Sequence, residues 1–220
     1  INKNLSIMVI IYLFFFIASI LTFSVGNIFL NLIYKKKNDY KFSISEEGII
    51  GLIFISFISL LFNFFFKIDQ LIASILFIFP FILFIRIYKK KEIELLKKIF
   101  LHSLIISAVA TIFISFDNVN RPDAGIYHLP YVRILNDFKI IIGSANFNPL
   151  FGATSIFQYI SAIFNNFLFK DLGVTIPHAL LGIYFIDYFL RNFFFKSDND
   201  LFYKLFIFTL ASYFLIEMNR

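Results

Sequence analysis

Residues 48–88 read GIIGLIFISFISLLFNFFF-KIDQ-LIASILFIFPFILFIRIY. Two apolar runs, Gly48–Phe66 and Leu71–Tyr88, flank the short link Lys67-Ile68-Asp69-Gln70. A bilayer crossing needs about 20 predominantly apolar residues, and each run comes close to that. A link this short permits only an antiparallel return. The stretch therefore reads as a transmembrane helical hairpin, with Pro80 expected to kink its second helix.

The same pattern extends outward. Leu5–Tyr34 is a first span closed by Lys35, Lys36 and Lys37, and Ile99–Phe116 is a fourth. Beyond a polar stretch come Leu150–Phe169, Val174–Phe195 and Leu201–Ile216. Of the 220 residues, 60% are hydrophobic and 15% charged, against about 25% charged in an average soluble domain. Mean hydropathy is +0.83. A soluble domain of this length could not bury so much apolar surface. The fold class is all-α: a polytopic transmembrane helical bundle with its partner, the lipid bilayer, on most sides. The expected organisation is 1–116, about four transmembrane helices; 117–170, an extracytoplasmic loop with interfacial helices and the candidate active site; and 171–220, further transmembrane helices. The start at Ile1 and the stop at Arg220, just past an apolar run, read as a fragment of a longer protein.

The net charge of +6 does not argue for nucleic acid. The basic residues sit in short clusters between apolar runs, as membrane topology requires. The loop after the first span carries Lys35, Lys36, Lys37 and Lys41. The loop after the third carries Arg86, Lys89, Lys90, Lys91, Lys97 and Lys98. Both are expected in the cytoplasm, which puts the Lys67 hairpin and the 117–150 stretch outside. The absence of Cys excludes disulfides and thiolate metal sites.

Whether Leu150–Phe169 spans decides the side of everything after it. Thr154, Gln158, Ser161 and Asn165 recur at helical spacing and form one polar stripe. Such a helix suits an interfacial or partly re-entrant position better than an ordinary lipid-facing span; the alternative is a span whose polar stripe packs against neighbouring helices. If it does not span, Arg191, Lys196 and Lys204 fall on the cytoplasmic side with the other basic clusters. Asp187 lies within an apolar run, but Arg191 four residues on makes it a local ion pair. His178 reads as a buried or interfacial histidine, and His102 as a headgroup-level one.

The chemistry is expected in the outer segment. Asp123 precedes Gly125, Tyr127 and His128, and Pro130 opens a short helix. On that helix Val132, Leu135 and Phe138 share one face, with Arg133, Asn136 and Asp137 turned away. Gly143-Ser144-Ala145-Asn146 reads as a turn. A carboxylate here suits proton removal from an attacking hydroxyl. Arg121 and Arg133 suit phosphate oxygens. The Asp123–His128 spacing matches no metal-ligand motif, and no metal site is assigned.

The block Asp123-Ala-Gly-Ile-Tyr-His-Leu-Pro-Tyr131, with Gly143-Ser-Ala-Asn146 and Phe151-Gly-Ala-Thr-Ser155, resembles a family of bacterial multi-spanning proteins. Those carry an Asp-x-Gly-Leu-Tyr-His-like motif and then a Gly-Leu-x-Asn-Leu-His-x-Arg-Phe-Gly-Phe-Asn-Ser block, and they are similar to the GT-C superfamily of glycosyltransferases. The resemblance covers about forty residues. It implies a GT-C-like enzyme that moves a sugar from a polyprenyl-phosphate-linked donor to an envelope glycan, lipid or protein acceptor. That reaction would run at the outer face of a bacterial inner membrane. Asp123 matches the loop acid at the active site. Tyr127, His128 and Asn146 match motif positions, and with Arg121, Arg133, Thr154 and Gln158 they make up the expected substrate-binding set. The resemblance leaves a divalent metal open as cofactor. Where the family has His and Arg in the second block, this chain has Asn148 and Leu150. Alternative readings are an O-antigen polymerase or ligase, which would lean on Arg121 and Arg133, and a transporter or flippase, for which Asp187 and Pro80 are the hints.

Overall fold

A computed structural model of the chain describes residues 2–34, 42–87, 93–116, 124–152, 155–195 and 201–218. Four long helices come first: α1 (Asn2–Tyr34), α2 (Ile44–Asn63), α3 (Gln70–Ile87) and α4 (Ile93–Phe116). A π-turn at Ala124–His128 leads into α5 (Leu129–Asp137). Two 3-10 turns precede α6 (Ile156–Phe164), and a third, Lys170–Thr175, runs into α7 (Ile176–Phe195); α8 (Leu201–Met218) follows. Among the described residues, four stretches are long and apolar enough to cross a membrane: Ser6–Tyr34, Ile44–Asn63, Leu95–Ile112 and Lys170–Phe194. Gln70–Ile85 and Leu201–Leu210 are shorter apolar helices. The protein is an all-α membrane protein.

In lipid, apolar surface does not drive helices together, because the acyl chains are as apolar as leucine. α3 shows the consequence. Leu71, Ile75, Ile78, Ile82 and Ile85 are exposed along one side, while Ala73, Leu76, Phe77 and Phe84 face the core. Both faces are apolar, and only residue size and shape separate them. Association depends instead on close backbone approach and buried polar pairs. A Cβ at Gly26 would stand 1.8 Å from the Glu47 carbonyl oxygen, and one at Gly51 would stand 1.9 Å from that of Thr22. α1 and α2 therefore touch backbone to backbone. Across the bundle the Thr22 and Tyr184 hydroxyls meet at 2.6 Å, and Ser59 Oγ donates to the Tyr159 carbonyl at 2.7 Å.

Several sequence boundaries move. α2 starts at Ile44 rather than Gly48, because Ser43 and Glu46 form a reciprocal capping box. α4 starts at Ile93 rather than Ile99. The stretch 150–169 is not one helix. Its α-helical part, α6, has nine residues, a rise of roughly 14 Å, against about 30 Å of hydrocarbon. Nor does α6 lie on a surface, since every side chain from Gln158 to Phe164 is buried.

The two ends of the bundle differ. At one end the α2–α3 turn is tied to the 124–170 segment. Ile68 N–H donates to the Leu135 carbonyl at 2.9 Å and Ile140 N–H to that of Asn63 at 2.9 Å. Asn136 Nδ2 donates to the carbonyls of Ile68 (2.6 Å) and Ala162 (3.1 Å). At the other end Asn27 Nδ2 donates to Glu47 Oε1 at 2.9 Å. Arg191 Nε there meets Asp187 Oδ2 at 2.7 Å, and Ser45 Oγ donates to the same carboxylate oxygen.

Candidate functional site

The site is assembled on α6, whose start is fixed by its own sequence. Ser155 Oγ accepts from the Phe157 N–H at 3.2 Å. Gln158, three residues on, accepts the Ser155 N–H at Oε1, also at 3.2 Å. This Ser-x-x-Gln capping box satisfies two of the donors a helix start leaves open. It also fixes the Gln158 amide. With Oε1 occupied, its NH2 faces His128, 3.1 Å from Nδ1. An NH2 can only donate, so Nδ1 must accept. In the neutral ring the proton then sits on Nε2.

His128 closes the π-turn and caps α5. The buried face of α5 is Tyr131, Val132 and Leu135. Phe138, expected on that face, is 56% exposed. Asn136, expected to turn away, turns inward to hold the hairpin, because the Ile68 and Ala162 carbonyls need a donor there. α5 thus packs its Tyr131, Val132 and Leu135 face into the bundle and leaves the opposite face exposed. Arg133 does turn outward, where its Nε stands 3.8 Å from Asp137. The Tyr131 ring packs on Phe151 at 5.7 Å between centroids, and its hydroxyl stands 3.4 Å from that of Tyr159. Burial, with the Tyr131 hydroxyl beside it, pushes the Tyr159 phenol above its ordinary range and keeps it a neutral donor.

The expected turn is present: Gly143 has φ 83°, and Ser144–Asn146 forms a 3-10 turn with Asn146 exposed. The polar stripe is accounted for by protein partners rather than a hydrated cavity. Gln158 holds His128, Ser161 Oγ donates to the Val174 carbonyl at 2.9 Å, and Asn165 Nδ2 donates to Asn136 Oδ1 at 3.0 Å. Of the expected site residues, His128 and Gln158 come together. Arg133 and Asn146 sit on outward-facing surface. Tyr127 lies in the π-turn. Asp123, Arg121 and Thr154 lie outside the described residues. Among those described, no three His, Cys, Asp or Glu side chains gather into a metal-binding group.

A family model described as a domain of unknown function, DUF8201, matches residues 8–219. The chain belongs to the DUF8201 family. No curated protein and no solved structure matches it. The matched range of this DUF8201 chain includes every candidate site residue and both motif blocks.

Two features escaped the sequence reading. The His178 ring, in the first turn of α7, packs against Phe157 at 5.9 Å between centroids. It thus meets α6 at the residue before Gln158. Glu47 is 7% exposed inside the bundle of this DUF8201 chain, and its Oε2 has no hydrogen-bond partner among the described residues. The signal for Glu47 was available: an acid inside a spanning helix is a functional candidate. The sequence reading placed it just before the span because capping residues look like loop.

Proposed function

We propose that the chain is a membrane-embedded glycosyltransferase of GT-C-like design. It would transfer a sugar from a polyprenyl-phosphate-linked donor to an envelope glycan, lipid or protein hydroxyl at the outer face of a bacterial inner membrane. The observation that carries this reading is the meeting of the two motif blocks. They are separated in sequence, yet Tyr131 of the first packs on Phe151 of the second. His128 of the first is held by Gln158, on the helix that Ser155 of the second caps. An acceptor hydroxyl would attack the anomeric carbon as the bond to the donor phosphate oxygen breaks. Asp123 would take or orient the hydroxyl proton, and polyprenyl phosphate would leave with the electron pair.

Topology supports the same end of the bundle as the outer one. Since α6 is too short to cross, Arg191, Lys196 and Lys204 fall on the side of Lys35–Lys37, as the positive-inside rule requires. Asp123→Asn is expected to abolish sugar transfer to membrane glycolipid while insertion and yield stay at wild-type level. Wild-type transfer by that variant would remove the assignment. The buried Glu47–Asn27 pair favours the transport reading. Proteoliposome uptake that Glu47→Gln abolishes would replace the enzyme with a transporter.

A further inference from the structure

The helices of the apolar hairpin, α2 and α3, are joined by a short turn but barely touch each other. α2 packs on α1, α6 and α7, and α3 on α1 and α6. The gap between them is a cavity of about 290 Å³. Ile28 of α1, Phe54 and Ile58 of α2, and Leu76, Phe79 and Pro80 of α3 line it, and no polar side chain is among its walls. Nearer the hairpin turn lies a second, larger concavity of about 410 Å³. The two follow one another along both helices: Phe62 lines the first and Phe66, one turn on, the second, and on α3 Leu76 and Ile72 stand in the same relation. The second concavity is charged, with Lys67, Asp69, Asp137 and Lys139 around it beside Phe65 and Phe138. Its backbone is fixed by the buried Asn63. Asn63 Nδ2 donates to the carbonyls of Phe66 (3.3 Å) and Phe138 (3.1 Å), and its own carbonyl accepts the Ile140 N–H.

We propose that the apolar gap and the charged concavity together bind one zwitterionic glycerophospholipid of the phosphatidylethanolamine class. The length fits one leaflet. α2, with 20 residues, rises about 30 Å, the thickness of the hydrocarbon core. Phe54 stands about 14 Å along α2 from Asn63, so the gap reaches the middle of the bilayer. A space of 290 Å³ drawn out over that length is too thin for an α-helix, about 10 Å across, and suits a single acyl chain. The charges select the headgroup. Lys67 and Lys139 offer ammonium donors to a phosphate. Lys67 Nζ already stands 3.4 Å from Asp69 Oδ2, whereas Lys139 has no ion pair among the described residues, so Lys139 is the main phosphate partner. Asp137 is 57% exposed and only 3.8 Å from Arg133 Nε, which leaves its carboxylate able to accept from a primary ammonium. Phe65 and Phe138 offer ring faces to the same cation. Two lysines and two aspartates sum to zero charge, as does this headgroup, while an anionic headgroup would leave both carboxylates facing like charge. The inference stands apart from the enzyme reading, since neither motif block lines either space.

The chain has no tryptophan, so a single introduced one reports without background. The full chain carrying Phe79→Trp, in the wall of the gap, is placed in phosphatidylcholine nanodiscs with a minor fraction of lipid brominated on its acyl chains. Brominated phosphatidylethanolamine is expected to quench it about threefold more than the same fraction of brominated phosphatidylglycerol, an edge of roughly 0.6 kcal/mol, the worth of an exposed ion pair. Phe208→Trp on α8, at a side chain 59% exposed and outside the gap, should be quenched equally by the two lipids. Asp137→Lys, an exposed change, should turn the preference of the Phe79→Trp chain toward the glycerol headgroup. Ile58→Phe, which fills the gap, should remove the excess. Equal quenching by the two lipids at Phe79→Trp, or a preference that Asp137→Lys leaves unchanged, overturns the inference. Stronger quenching by phosphatidylglycerol makes this an anionic-lipid site and overturns it as well. None of these outcomes touches the enzyme reading, which Asp123→Asn tests.

Discussion

The smallest unit with a functional consequence is the side chain of Gln158, which does two jobs at once. Its oxygen closes the α6 cap, and its NH2 sets which nitrogen of His128 carries the proton. Glutamate at this position separates the two jobs. A carboxylate still accepts the Ser155 N–H, so the capping box survives, while a charge on a side chain only 3% exposed should cost at least about 1 kcal/mol of stability. A carboxylate cannot donate to Nδ1, however, so His128 must place a proton there. In Gln158→Glu the 15N resonance of His128 Nδ1 should move from the acceptor to the protonated position, with the helix content unchanged. An unmoved resonance would mean that Gln158 does not set the tautomer. Much of this was readable beforehand. Ser155 and Gln158 stand at capping-box spacing, and His128 lies in a quoted motif. Their meeting was not readable, because no local rule relates residues thirty positions apart.

At the scale of elements, the sequence separates long apolar helices from polar connections well, because span length is fixed by bilayer thickness. It separates faces of those helices poorly. In α3 the lipid side and the core side are equally apolar, so periodicity carries no signal. The stretch 150–169 raises the same difficulty. An apolar run with a polar stripe looks the same whether the stripe meets water, headgroups or other protein groups, and here it meets Val174, Asn136 and His128. What positions α6 and the site is the α1–α2 pair beneath, and that pair depends on two glycines. With 1.8 Å between a Gly26 Cβ and the Glu47 carbonyl oxygen, no side-chain rotation can make room, and the helices must part. Gly26→Ala should cost about 1–3 kcal/mol, the range for overpacking. Gly51→Ala should cost a similar amount, and the double variant less than the sum, since both relieve the same contact. Unfolding of the detergent-solubilised chain measures this, with Leu32→Ala, at a side chain 69% exposed, as the neutral comparison. A Gly26→Ala protein as stable as wild type would show that the helices do not touch there.

For the whole molecule, the hydrogen bonds at 63–70 and 135–140 put the α2–α3 turn and the candidate site at one end. The Ser45–Asp187–Arg191 cluster is at the other. Which end faces the cytoplasm is set by the distribution of Lys and Arg relative to the bilayer, not by packing. α3, with 18 residues, rises about 27 Å, although its apolar part Gln70–Ile85 is shorter than the four stretches long enough to cross. In the proposed topology α1 to α4 alternate direction, α6 does not cross, and α7 returns toward the side where α1 ended. The chain has no native cysteine, so single introduced cysteines report position without background. Lys67→Cys and Ala145→Cys should react with a membrane-impermeant maleimide in intact cells. Lys36→Cys and Ser197→Cys should react only after permeabilisation. Ser197 is the decisive position, because its side depends on the number of crossings between residues 117 and 197. Labelling of Ser197→Cys from outside, with Ala145→Cys also labelled, would require the 150–169 stretch to cross after all. It would also put Arg191 and Lys196 outside, against the charge rule. Labelling of Ser197→Cys from the cytoplasmic side alone would leave His128, Gln158 and His178 at the outer surface, where a lipid-linked donor would have to meet them.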